Sequence, residues 1–207
     1  MTPSGTAART RNKRGEGSLL RAEIVTAATA LLEKAGREEA VTLRAVAREV
    51  GIAAPSIYQH FPDREAVLDA VVVAAFEDLI AALEHDLAPV SDARERLLTG
   101  CRTYVRFAQD HPQRYRVMFG RGAETASGAP VPRGMPPEAL EALTYLSSGI
   151  DDCVKAGGSD SANPFSDAVA LWASLHGLAT LACTSAAGWP GQDQLLEVLV
   201  ERVARLR

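Results

Sequence analysis

The chain has 207 residues, 47% hydrophobic and 23% charged, which is the balance of a globular protein rather than a disordered one. Its net charge of −4 conceals an asymmetry: residues 1–64 hold ten Lys/Arg against seven Asp/Glu, and the remainder twelve against nineteen. No run of about 18 apolar residues suggests a membrane span, the polar, basic start reads as no secretory signal, and aromatics at 5% favour helices over sheets.

Residues 1–17, rich in Gly, Ser, Thr and Arg, read as a disordered basic arm. Ser18 is placed to cap a first helix whose apolar face is Ile24, Ala28, Leu31, Leu32 and Ala35, with Gly36 as its stop. Thr42 is placed to cap a second helix with Leu43, Val46, Ala47 and Val50 at i, i+3, i+4, i+7. Gly51 ends it and turns the chain. A short third helix is expected over 54–61, with Pro55 in its first turn, where a missing N–H costs little. A long apolar-rich helix follows from Arg64 to His85.

Further helices are expected over 93–109, 115–119, 137–155, 166–186 and 192–205. The stretch 120–137 holds eight Gly or Pro and reads as loop, as do 156–165 and Gly188-Trp189-Pro190-Gly191. The expectation is an all-α chain of about nine helices: a three-helix helix-turn-helix domain over 18–80 and a helical domain over 81–207.

Residues 42–61 carry the function. Two short helices joined by a tight, glycine-containing turn spell a helix-turn-helix. Val46, Ala47 and Val50 pack the first helix, and Ile57 and Phe61 the second. Pro55, Ser56, Tyr58, Gln59 and His60 are left on or beside an exposed face that contains no acid. A helix entering a major groove needs such a face, with donors for phosphates and small groups near base edges. A plain surface hairpin in an all-α protein would show the same pattern.

Residues 19–80 resemble the DNA-binding domain of the TetR family of transcriptional regulators. The resemblance lies in Ile24…Ala27-Ala28…Leu31-Leu32…Gly36, in Thr42…Val46-Ala47…Val50-Gly51-Ile52, and in the run from Ile57-Tyr58-Gln59-His60-Phe61 through Arg64 to Leu68. It implies that Thr42, Tyr58, His60 and Arg64 hold phosphates and that Arg44 contacts backbone or a base edge. It also implies that Ser56 and Gln59 lie nearest the bases, with Phe61 in the core. One departure is Ala53, where the family usually has Ser or Thr; a missing hydroxyl cap costs about 1 kcal/mol. Arg64 replaces the more usual Lys and keeps a donor.

After the fourth helix two patterns remain: Tyr104-Val-Arg-Phe107…His111-Pro112…Tyr115-Arg-Val-Met118-Phe119, and Trp172…His176-Gly177. Together they resemble a TetR C-terminal domain named for a Trp-His-Gly signature, which implies a four-helix dimer interface from the last two helices. Ala170, Ala173, Ser174 and Gly177 would let a helix approach closely, and Leu196, Leu199, Val200 and Val203 form an apolar stripe. A helix-turn-helix reading a two-fold operator calls for a homodimer. Tyr104, Phe107, Met118, Phe119, Tyr145, Trp172 and His176 could line a cavity for a partly apolar small-molecule effector, or simply fill the core.

Cys101, Cys153 and Cys183 are odd in number and without a CxxC pair, which fits idle thiols in a reducing cytoplasm. No HExxH, GxSxG, P-loop or GxGxxG stands in a credible setting, so neither enzyme, metal site nor cofactor is expected. The reading is a DNA-binding regulator, a repressor in the family's usual mode, released from double-stranded operator DNA by its effector. The alternative is a helical ligand-binding or protein-interaction module with a vestigial DNA-binding domain, suggested by Ala53, Ala54 and the net negative charge.

Overall fold

The structure, a computed structural model, describes residues 17–120, 122–124, 130–132, 137–184 and 191–207. Among these residues are nine α-helices: α1 (Gly17–Ala35), α2 (Leu43–Val50), α3 (Ala54–Ile57), α4 (Arg64–Leu87), α5 (Ala93–Asp110), α6 (Pro112–Gly120), α7 (Pro137–Lys155), α8 (Pro164–Thr184) and α9 (Gln192–Val203). A single 3-10 turn, Glu38–Ala40, lies between α1 and α2. The expected arm, but for Gly17, and residues 188–190 of the last connection lie outside the described residues. Among the described residues no helix is long and apolar enough to cross a membrane.

The all-α reading holds with one addition. Within the expected loop, β1 (Gly122–Glu124) and β2 (Pro130–Pro132) pair antiparallel, with Gly122 opposite Pro132. Strands this short, built with glycine and proline, carry no alternation from which to be read.

The chain divides into two compact units, Met1–Ala74 and Ala75–Arg207, and the division falls within α4. In the first, α1 buries Ile24, Ala28 and Leu32 completely or nearly so. Ser18 is not the cap expected of it, because α1 begins one residue earlier and Ser18 lies inside its first turn. Thr42 does cap α2: its hydroxyl oxygen accepts a hydrogen bond from the Ala45 N–H at 3.2 Å. Gly51 closes α2 in the left-handed region at φ 77°, sending its N–H back to the Ala47 and Arg48 carbonyls. Such a residue needs glycine because any Cβ would crowd the neighbouring carbonyl.

Helix α3 is shorter than expected. Its regular part is one turn, Ala54–Ile57, and residues 58–60 continue as a turn, with the His60 and Phe61 N–H groups both bonded to the Ile57 carbonyl. Ala53 makes no side-chain cap, as its methyl group dictates. Buried Ile57 and Phe61 therefore hold the segment in place by packing rather than by helix length.

In the second unit α7 packs on α5 and α8, α9 packs on α5 and α8, and α6 on α5. Gly149 permits the close approach of α7 to α5, since a Cβ there would stand 3.2 Å from Leu97 Cδ1. Leu98, Ile150, Leu171, Leu175 and Leu196 are fully buried. The apolar stripe expected on α9 as a dimer surface is corrected by this packing: Leu196 and Val200 belong to the protomer's own core. Only Leu199 and Val203, both half-buried, remain partly accessible.

Candidate functional site

On the first unit, Thr42, Arg44, Pro55, Tyr58 and Gln59 are exposed, and Ser56 and His60 are half-buried. Tyr58 is 59% exposed, uncommon for a large aromatic side chain. Thr42 spends an oxygen lone pair on the Ala45 N–H, a bond that does not use its hydroxyl proton. No carboxylate lies between Ala53 and Pro62, so nothing in α3 or its following turn repels a polyanion.

Two arginines fix this surface. Arg21 on α1 donates from Nη1 to the His60 carbonyl at 3.1 Å, and its guanidinium lies 4.1 Å from the Phe61 ring centre. A cation over an aromatic face contributes about 0.5–1 kcal/mol when exposed. The other is Arg64. Its Nε donates to the Val41 carbonyl at 2.9 Å, Nη2 to the Glu38 carbonyl at 2.6 Å, and Nη1 pairs with Glu65 at 2.8 Å. All three of its nitrogens are thus engaged within the protein. Three of its five N–H donors make Arg64 a bracket, tying the start of α4 to the residue before the α2 cap. Arg21 carries no local signal in the sequence; its role depends on a fold that brings residue 21 to residue 61.

The second unit holds a cavity of about 370 Å³, at the small end of ordinary ligand pockets. Among the described residues α4 supplies Phe76, Leu79, Leu83 and Leu87 to its wall, and Leu97, Leu143 and Leu146 come from α5 and α7. Of the residues expected to line it, Tyr104, Phe119, Tyr145 and Trp172 do so. Phe107, Met118 and His176 do not. Phe107 and Met118 are buried in the helical core, Phe107 with its ring 5.0 Å from that of His111. The α4 wall was legible as Phe76, Leu79, Leu83 and Leu87 at i, i+3, i+7, i+11.

His176 stands one step behind the wall. Its Nδ1 lies 2.7 Å from the Tyr115 hydroxyl, which lies 2.9 Å from the Tyr104 hydroxyl. Phe119 stacks edge-on against His176 at 4.7 Å. Burial pushes the Tyr104 phenol up to about 12 and lowers His176 below its ordinary value, so both are neutral near pH 7.

On α8, Ala170 and Ala173 are exposed and Ser174 and Gly177 half-buried. Phe165, Val169 and Leu181 on the same helix are 52%, 38% and 50% exposed. Three large apolar side chains beside a run of small ones form a face suited to a second helix.

A one-turn reading element on a helix-turn-helix, followed by a helical unit built around a small cavity, defines a DNA-binding regulator. Residues 24–71 match the family model described as bacterial regulatory proteins of the tetR family, and residues 97–203 match the tetracyclin repressor-like C-terminal domain. The second match contains the Trp172…His176-Gly177 signature. The chain is 26% identical to an HTH-type transcriptional regulator of Mycobacterium tuberculosis over 193 residues, 90% of this chain and 80% of that one. A solved structure from Rhodococcus sp. RHA1, a protein of unknown function, is 30% identical with a TM-score of 0.71, covering 90% of this chain and 94% of that chain. A TetR-family transcriptional regulator from Pectobacterium atrosepticum shares the fold at the same TM-score of 0.71 and 18% identity, over 93% and 95% of the two chains. The chain belongs to the TetR family of DNA-binding transcriptional regulators.

Proposed function

We propose that the chain acts in the cytoplasm as a homodimeric repressor, released from a palindromic operator by a small, partly apolar effector. One observation carries the reading. Helix α4 begins at Arg64, bonded to the carbonyl that precedes the α2 cap, and ends in four side chains of the cavity wall. A ligand that prefers one placement of Phe76, Leu79, Leu83 and Leu87 thereby biases the same helix that anchors the DNA-reading segment. Coupling of about 1–3 kcal/mol, usual for such systems, changes operator affinity about 5- to 150-fold.

On the DNA, Ser56 and Gln59 lie nearest the bases and Arg44 beside them, with Pro55 giving close approach. Thr42, Tyr58 and His60 hold phosphates. The two α3 segments of a dimer enter successive major grooves about 34–36 Å apart. The dimer forms through the exposed α8 face, with Leu199 and Val203 at its margin.

The test is selection of bound sequences from a random duplex pool, with wild type and a Tyr58→Ala/His60→Ala variant. An enriched palindrome lost in the variant is the expected result. The single-turn α3 without a side-chain cap favours a second reading, an interaction module whose DNA unit no longer reads sequence. Folded dimer that enriches nothing at low salt would establish that reading and remove the first.

A further inference from the structure

The cavity of the second unit is apolar at depth and charged where it meets solvent. Leu79, Leu83, Leu97 and Leu143 are buried in its wall, with Phe76 and Tyr104 among them. Phe119 and Trp172 extend the aromatic part. The Phe76 and Phe119 rings stand at 84° with centres 5.8 Å apart, and the Trp172 ring lies 6.0 Å from Phe119. Ring faces carry partial negative charge, so such a wall receives an apolar tail and tolerates a cation better than an anion.

Charge on the wall has a definite sign at one place. Along α7, Glu141, Tyr145, Gly149 and Asp152 share one helical face at i, i+4, i+8 and i+11, and all four line the cavity. Glu141 is exposed, which puts it at the rim. One turn on, the Tyr145 hydroxyl donates to Glu84 of α4 at 3.0 Å, bringing a second carboxylate to the same turn. Among the described residues neither Glu84 nor Glu141 is paired with a Lys or Arg. Burial, and then these two carboxylates, push the Tyr145 phenol above its ordinary value, as a negative field at its oxygen requires.

The opposite end is compensated. Asp152 lies about 16 Å further along α7, and Lys155 approaches it to 3.8 Å while pairing with Asp151 at 2.6 Å. Arg96 also lines that end, beside Leu97, against which Gly149 packs. Its Nη1 is committed to the Leu87 and Val90 carbonyls. Uncompensated charge is therefore concentrated at Glu141 and Glu84.

We propose that the cavity selects a hydrophobic monocation, an ammonium held at the rim by Glu141 with its apolar tail against Phe76, Phe119 and Trp172. This rests on the reading of the cavity as the effector site. An ammonium at the rim keeps part of its hydration, so only the tail has to leave water. A carboxylate in the same place would meet two like charges, and an uncharged head would gain nothing from either.

The experiment titrates full-length protein with 4-phenylbutylamine, protonated at neutral pH, and with 4-phenylbutanol and 4-phenylbutyrate, which keep an arylalkyl tail and change the head. Calorimetry reports affinity. A Trp189→Phe background leaves Trp172 as the sole tryptophan, so its fluorescence reports whether a probe occupies the cavity. The amine should bind about tenfold tighter than the alcohol, the difference one charge-assisted hydrogen bond supplies. The carboxylate should bind more weakly than either. Added salt should weaken the amine and leave the alcohol unchanged. Glu141→Gln should cut the amine's preference to about threefold or less without changing alcohol affinity, and Glu84→Gln should reduce it independently. Both positions are exposed, so the substitutions leave the core intact. Alcohol or carboxylate bound as tightly as the amine, with Trp172 responding, would overturn the proposal and leave the effector cavity standing. So would amine binding that leaves Trp172 fluorescence unmoved or is indifferent to Glu141→Gln, since the amine would then sit on the outer acidic surface. If none of the three probes binds, the cavity reading falls and the proposal with it.

Discussion

Arg64 Nε donates to the Val41 carbonyl at 2.9 Å, across 23 residues of sequence. The same guanidinium reaches the Glu38 carbonyl, so the 3-10 turn, the approach to α2 and the start of α4 share one side chain. Arg64→Ala leaves the Val41 carbonyl without the Arg64 donor and the Glu38 carbonyl with only the Val41 N–H, and should destabilise the first unit by about 1–3 kcal/mol. Arg64→Lys, with one ammonium in place of a planar fork, should recover only part. Chemical denaturation followed by circular dichroism measures both; equal stability of all three proteins would refute the bracket.

The two faces of the α8–α9 region should separate cleanly under mutation. Leu196→Ala removes a buried side chain and should cost about 2–5 kcal/mol of protomer stability. Phe165→Asp with Val169→Asp alters exposed positions, so stability within the protomer should stay within about 0.5 kcal/mol. That pair should shift the protein from dimer to monomer in sedimentation. Dimerisation untouched by it would place the interface elsewhere.

Asp86 is held at about 2 by the hydrogen bond from Thr103 at 2.6 Å, then by His85 and Arg106. Its folded value is depressed, so its contribution is present above the unfolded carboxyl range near pH 4 and is lost as pH falls through about 2. After solvent screening the amount is about 1 kcal/mol. Asp86→Asn should therefore reduce stability at neutral pH and narrow the gap to wild type as pH drops from 4 to 2. A gap constant across that range would show that the carboxylate charge contributes nothing.

Cys101 is completely buried, and desolvation pushes its thiol up to about 12; Cys153 is raised for the same reason. In a Cys183→Ser background, native protein at pH 8 should react slowly with a colorimetric thiol reagent. Both thiols should become available in denaturant. Rapid native labelling would mean the core opens far more readily than its packing implies.

Much of this was legible in the sequence, because it depends on local chemistry. Thr42 and Gly51 announce a cap and a stop by residue type, and the apolar spacing from Leu43 to Val50 announces the helix between. The α4 cavity wall is equally periodic. What stayed hidden depends on long-range geometry. Leu196 and Val200 share their α9 face with nothing in the sequence to say whether α5 and α8 or a second chain covers it. His176 carries the polar character expected of a cavity residue, yet it meets Tyr115 and the wall residues Phe119 and Trp172 rather than the cavity itself. A lone basic residue such as Arg21 looks the same whether it meets solvent or an aromatic ring.

The short α3 has an evolutionary consequence. Its position is set by Ile57 and Phe61 below, by Arg21 from the side and by the turn at Gly51, none of which faces outward to read sequence. Ser56 and Gln59, the residues proposed to lie nearest the bases, contribute little to holding it there. A lineage carrying this scaffold is thus free to exchange its reading residues one at a time, acquiring new target genes without first having to survive a less stable intermediate.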